Sequence, residues 1–149
     1  MKKILILIAA AVFTVNVANA QVQIKESKVP AAVKAHFEKD VNKEALKTAV
    51  WYKIGKDFLS EHQGISRRYN KYGIFVYSLE YIDKSQVEPK AVENFEKKYA
   101  SEFNYQRAAI ATLENGEKQF FLIAKSQKGD YYFKYNEKGK FIEKTDARK

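Results

Sequence analysis

Cysteine is missing from all 149 residues. That one absence excludes a disulfide framework, a thiol nucleophile and a thiolate metal site. It also excludes lipoprotein acylation, which needs a thiol. Histidine is almost as scarce, with only His36 and His62. Zinc would find too few ligands. The isolated carboxylates, Asp130 among them, fit no calcium loop. Six glycines, all dispersed, make no phosphate-binding loop. No metal or cofactor is implied. Ser60-Glu61-His62 has residue types found in triads, but neighbours on one strand point to opposite faces and cannot converge. His36 stands alone in a helical pattern and reads as a surface or half-buried side chain. A hydrolase resting on a carboxylate pair would need two acids brought together by the fold, and no spacing singles out a pair. The chain is read as non-enzymatic.

One apolar run breaks the otherwise mixed pattern. Lys2 and Lys3 precede Ile4 to Val15, and Ala18-Asn19-Ala20 follows. A basic start, a short apolar stretch and an A-x-A site form a cleavable signal peptide. The run is shorter than the roughly 20 residues that span a bilayer, and no basic stop-transfer flank follows. The mature chain is expected to begin at Gln21 and to work in the periplasm or outside the cell, with no membrane span after cleavage. Cleavage removes two lysines and no acid, which lowers the net charge from +9 to +7.

Lysine is spread through every segment and interleaved with glutamate. Nucleic-acid binding would concentrate the basic residues in one stripe, so no nucleic-acid partner is expected. A solvated basic surface that favours acidic partners fits better. Stability must come from burial, and all the aromatic residues except Phe13 remain after cleavage to supply it.

The mature sequence repeats itself. Ser27-Lys28-Val29 through Phe37-Glu38-Lys39 recurs as Ser85-Gln86-Val87 through Phe95-Glu96-Lys97, at an offset of 58. Tyr69-Asn70-Lys71-Tyr72-Gly73-Ile74-Phe75 recurs as Tyr135-Asn136-Glu137-Lys138-Gly139-Lys140-Phe141, at an offset of 66. Each copy opens with a helical pattern. Val29, Val33, Phe37 and Val41 form one stripe in the first copy, and Ala91, Val92, Phe95 and Tyr99 in the second. Pro30 and Pro89, the only prolines, suit a first helical turn, and Ser85 with Glu88 has capping-box spacing. The period then changes to two. Strands are expected at Ala49–Ile54, Phe58–His62, Ile65–Asn70 and Ile74–Ile82. In the second copy they fall at Arg107–Glu114, Lys118–Ser126, Asp130–Tyr135 and Lys140–Lys144. Asn115-Gly116 is a strong hairpin signal. The expected fold is α+β: two tandem repeats, residues 21–84 and 85–149, each one helix followed by a four-stranded antiparallel meander.

Alternation places Phe75, Tyr77, Leu79 and Tyr81 in one row, and Tyr131, Phe133 and Tyr135 in another. Both rows are read as core covered by the helices. The opposite faces then carry Trp51 and Lys53, Ser66 and Arg68, and Tyr132 and Lys134. Trp51, Lys53, Arg68, Tyr132 and Lys134 are the candidate protein-binding residues, because aromatic and arginine side chains dominate interface energies.

The helix opening Val29, Pro30, Ala32, Val33, Phe37, followed by a meander with Tyr-x-x-x-Gly-x-Phe turns, resembles the PepSY-like proteins of the beta-lactamase-inhibitory-protein type. The likeness covers nearly all of the mature chain, in two copies. It implies tandem α+β units whose sheets bind protein, an exported setting and non-enzymatic action. The chain departs from the pattern at Val87-Glu88-Pro89 and lacks the cysteines of some inhibitory relatives, so inhibition of a beta-lactamase is not implied. Two functions are expected on these grounds: an exported inhibitor or regulator of an envelope or secreted protein, or an envelope component attaching to acidic glycans.

Intact-mass measurement of the exported protein checks the first step. The expected mass is that of a chain starting at Gln21, and retention of Met1–Ala20 would overturn the exported setting.

Overall fold

The structure is a computed structural model, and residues 21–146 are described. The expected signal peptide, residues 1–20, lies outside them. Among these residues nine strands succeed one another in chain order: β1 (Val22–Ile24), β2 (Val50–Ile54), β3 (Asp57–His62), β4 (Ile65–Tyr69), β5 (Phe75–Ile82), β6 (Asn104–Leu113), β7 (Lys118–Ser126), β8 (Gly129–Asn136) and β9 (Phe141–Asp146). Three α-helices accompany them among the described residues: α1 (Ala31–Asp40), α2 (Lys43–Thr48) and α3 (Pro89–Lys98). The chain divides into two compact units, one running to Leu79 and the other from Glu80.

In the first unit β1 to β4 pair antiparallel, and α1 lays its apolar stripe on one face. Val29, Val33 and Phe37 are buried there with Ala45 and Leu46 of α2 and with Trp51, Phe58 and Tyr69 of the sheet. The Phe37 ring meets Trp51 edge-on, with centroids 5.1 Å apart. Two elements escape the sequence pattern. β1 is only three residues long, too short to alternate legibly. α2 is six residues, started by Asn42, whose Oδ1 accepts from the Ala45 N–H at 2.8 Å. That is a proper N-cap, but the helix is too short for a stripe.

In the second unit β6 to β9 pair antiparallel under α3. Val87, Ala91 and Phe95 are buried with Phe103, Phe120, Leu122, Phe133 and Tyr135. Phe95 meets Phe133 edge-on at 5.0 Å. Pro89 opens α3 as expected. The capping box does not fall on Ser85 and Glu88. It joins Asp83 to Gln86, with the Asp83 N–H donating to Gln86 Oε1 at 2.9 Å, because Ser85 lies inside a short 3₁₀ turn, Lys84–Gln86.

The same turn closes both units. Asn70 Oδ1 accepts from the N–H groups of Tyr72 (2.9 Å) and Ile74 (3.0 Å). Asn136 Oδ1 accepts from Lys138 (3.0 Å) and Lys140 (2.9 Å). Gly73 has φ +83° and Gly139 φ +73°, in the left-handed region. Neither could carry a side chain for a second reason. A Cβ on Gly73 would lie 2.6 Å from the Ala32 carbonyl carbon, and one on Gly139 would lie 2.8 Å from the Ala91 nitrogen. Each turn is thus seated directly on the first turn of its helix.

Two expectations about faces need correction. Trp51 is 1% exposed and packs on Phe37, so it belongs to the helix-covered face. Lys53, two residues on, shares that side of β2, opposite Phe58. The largest apolar side chain of the unit goes where an anchor from α1 can cover it. The row Phe75, Tyr77, Leu79, Tyr81 is not one helix-covered row either. Phe75 packs on Tyr69 of the core, with centroids 5.9 Å apart. The Arg68 guanidinium, on the far face, lies 5.9 Å from the centre of the Tyr77 ring. Regular alternation would put Phe75 and Tyr77 on one side, so β5 is irregular between them. The second unit has a register shift in the matching place: Tyr135 pairs with Phe141 but Lys134 with Glu143. Such a bulge flips every later side chain. Tyr81 accordingly sits under Arg107 at 4.9 Å, not under α3.

Phe37→Ala and Phe95→Ala are each expected to cost about 3–5 kcal/mol in denaturant titrations. Gly116, at φ +82° with open space around its missing Cβ, provides the reference for the turns. Gly116→Ala should cost about 1–2 kcal/mol of backbone strain. Gly73→Ala should cost at least about 1 kcal/mol more, because the added methyl also collides with α1.

Candidate functional site

The five residues singled out from sequence fall into three environments. Trp51 and Tyr132 are buried, at 1% and 3% exposure. Lys53 is exposed on the helix side of β2. Arg68 and Lys134 lie on the faces away from the helices, each in an ion pair. Arg68 donates to Asp57 Oδ2 from Nε (3.0 Å) and Nη2 (2.7 Å). Lys134 donates to Glu143 Oε1 at 3.0 Å and stands 5.7 Å from the centre of the Phe121 ring. The structure does not gather these residues within either unit into one exposed patch.

The faces away from the helices are not bare polar surfaces. In the first unit Leu59, Ser66 and Tyr77 are buried. Tyr52 donates to Glu61 Oε2 at 3.4 Å beside them. Burial, offset in part by that hydrogen bond, raises the Glu61 carboxyl above the usual carboxylate range. In the second unit Ala109, Ala111, Phe121, Ile123 and Tyr132 are buried.

The histidines belong to the helix side of the first unit. His36 Nε2 lies 3.6 Å from Asp40 Oδ1, and the Tyr69 hydroxyl donates to Asp40 Oδ2 at 3.4 Å. Burial first, and Asp40 second, push the Tyr69 phenol far up. His62 Nδ1 and the Thr48 hydroxyl are 3.3 Å apart. These contacts fasten α1 and α2 to the sheet. Among the described residues no group of three or more His, Asp or Glu side chains could hold a metal ion.

Large exposed apolar side chains occur on β1 (Val22), on β9 (Ile142) and at one turn. Tyr72 is 68% exposed and Ile74 46%, both on the turn between β4 and β5. Lys71 Nζ sits 4.6 Å above the Tyr72 ring. In the matching turn of the second unit the equivalent positions are Lys138 and Lys140. The signal is present in the sequence: a turn with an aromatic and an aliphatic tip where the corresponding turn of the second unit has lysines.

This arrangement has known relatives in shape. A DUF2874 family protein from Bacteroides ovatus superposes with a TM-score of 0.66 at 14% identity, covering 78% of this chain and 86% of that one. A proposed periplasmic protein from Bacteroides eggerthii gives 0.65 at 12% identity, covering 78% and 88%. A BLIP-like protein from Bacteroides fragilis gives 0.62 at 11% identity, covering 78% and 85%. The chain has the BLIP-like fold. No family model matches its sequence, and no curated protein matches it significantly.

Burial pushes Tyr77 from 10.0 up to about 12, against the opposing pull of Arg68. The folded state therefore holds this proton more tightly than the unfolded chain does. The stability linked to Tyr77 is complete below pH 10 and is lost as pH rises toward 12. Urea midpoints should fall more steeply across that interval for the wild type than for Tyr77→Phe.

Proposed function

We propose that this protein is an exported, non-enzymatic binding protein that acts on an envelope or secreted protein as an inhibitor or regulator. The exported setting rests on the A-x-A signal and on a structural neighbour proposed to be periplasmic. Protein binding is supported by the fold shared with a BLIP-like protein. We further read the chain as two tandem PepSY-like repeats, residues 21–84 and 85–149. Support comes from the paired positions Val29 and Val87, Phe37 and Phe95, Gly73 and Gly139, each pair buried in the same role.

The observation that carries the binding assignment is the Lys71–Ile74 turn. A large aromatic side chain, mostly exposed, stands on a turn pinned by Asn70 and seated on Ala32. Displaying Tyr72 and Ile74 to water gains the fold nothing. Held rigid, they offer contact area at little entropic cost on binding. Arg68 and Lys134 are retained as secondary contacts whose ion pairs orient them. Toward this turn Trp51 and Tyr132 would contribute only support for the surface above them. The Lys71–Tyr72 pair also suits an acidic glycan, the alternative ligand, and salt separates the two. Charge-driven attachment weakens steeply as salt rises, while a packed aromatic contact does not.

The test is capture from envelope extract with the mature protein, at low and high salt, beside Tyr72→Ser/Ile74→Ser. The expected result is a protein retained at high salt by the wild type and lost, at least about tenfold, by the variant. Equal capture by both would remove the turn from the site. Capture abolished by salt alone would favour the glycan reading.

A further inference from the structure

Among the described residues β1 is paired on one side only, to β2. An edge strand offers a row of backbone N–H and C=O groups to a further strand. Proteins protect such edges with charges, proline or bulges. β9, at the end of the second unit, is protected in this way: it carries Glu143, Lys144 and Asp146, and the Lys134/Tyr135 register shift bends its pairing. β1 reads Val-Gln-Ile, with no charge, no proline and Val22 56% exposed.

Beside this edge lies an open groove of about 540 Å³. Gln23 and Ile24 of β1, Leu46 and Lys47 of α2, and Val50 and Trp51 of β2 line it. Lys25, Glu26 and Ala49 complete its lining, and the Lys25 and Lys47 side chains are exposed. The Glu26 carboxylate lies 3.4 Å from Lys34 Nζ, a partly exposed pair. The partner of Lys47 is Glu44, 3.6 Å away, and both side chains are more than two-thirds exposed, so that pair holds Lys47 only weakly. Trp51 brings a further feature. Its indole Nε1 is buried with no hydrogen-bond acceptor among the described residues. A buried N–H left without an acceptor is unfavourable, and an occupant bringing oxygens to this groove could relieve it.

We propose that β1 and its groove bind an extended, acidic peptide segment of a partner protein by strand addition. Backbone bonds to the β1 edge would supply affinity. Alternate side chains would fall into the groove or project away from it, and carboxylates would meet Lys25 and Lys47. An unpaired edge calls for another strand, and the two lysines select its charge.

The experiment uses the mature chain and a short blocked peptide of alternating valine and glutamate. Two control peptides replace glutamate with lysine or N-methylate the backbone. Trp51 is the only tryptophan, so its indole N–H gives one unambiguous resonance, read together with the amides of Val22–Ile24. The glutamate peptide should shift these signals. The lysine peptide should bind at least about tenfold more weakly, and the N-methylated peptide should not bind. Lys25→Glu/Lys47→Glu should reverse the charge preference. Both lysines are exposed, so that variant is expected to fold. Tyr72→Ser must leave the peptide affinity unchanged, which separates this site from the turn. No shift at β1 with any peptide would overturn the proposal. So would equal binding of the N-methylated peptide, or shifts confined to the Lys71–Ile74 turn.

Discussion

A single phenylalanine per unit holds the architecture. Phe37 and Phe95 each enter from a ten-residue helix and meet an aromatic ring of the sheet edge-on, Trp51 in one case and Phe133 in the other. Without disulfides, this is where a short helix acquires its stability, since helices of that length are marginal alone. The surrounding features depend on it. The helix must lie flat on one face, its first turn must meet the Asn-x-x-Gly turn, and the glycine there can have no Cβ because Ala32 or Ala91 occupies the space.

Much of the fold is legible in the sequence because its signals are local. Helical stripes built around Phe37 and Phe95, period-two strands and glycine turns each depend on a few adjacent residues. β1 and α2 are not legible, being shorter than one reliable period. The faces of β5 escape for a different reason. Alternation assumes a regular strand, and an irregularity between Phe75 and Tyr77 reverses the side on which each later residue falls. A bulge leaves little trace in composition.

The candidate site is less legible. Alternation puts Arg68 and Lys134 on the faces away from the helices, and they are there, but each is held by an acid that sequence spacing does not pair with it. Trp51 stands out in the sequence because tryptophan is common in interfaces. The same large apolar area makes it the best partner for Phe37, and the core claims it. Tyr72 and Ile74 are visible as the difference between two turns of matching form. Comparing the turns for the residues they share conceals that difference.

The construction of that turn separates shape from chemistry. Asn and Gly dictate its path through the backbone, and the tip side chains take no part in the bonds that hold it. In one unit the tip is Lys-Tyr-Gly-Ile and in the other Glu-Lys-Gly-Lys, on closely matching hydrogen bonds. Mutation can therefore rewrite what the tip displays without disturbing the chain that carries it. A loop of this kind is an interchangeable head on a fixed shaft, so its surface chemistry can change while the scaffold stays superimposable in form.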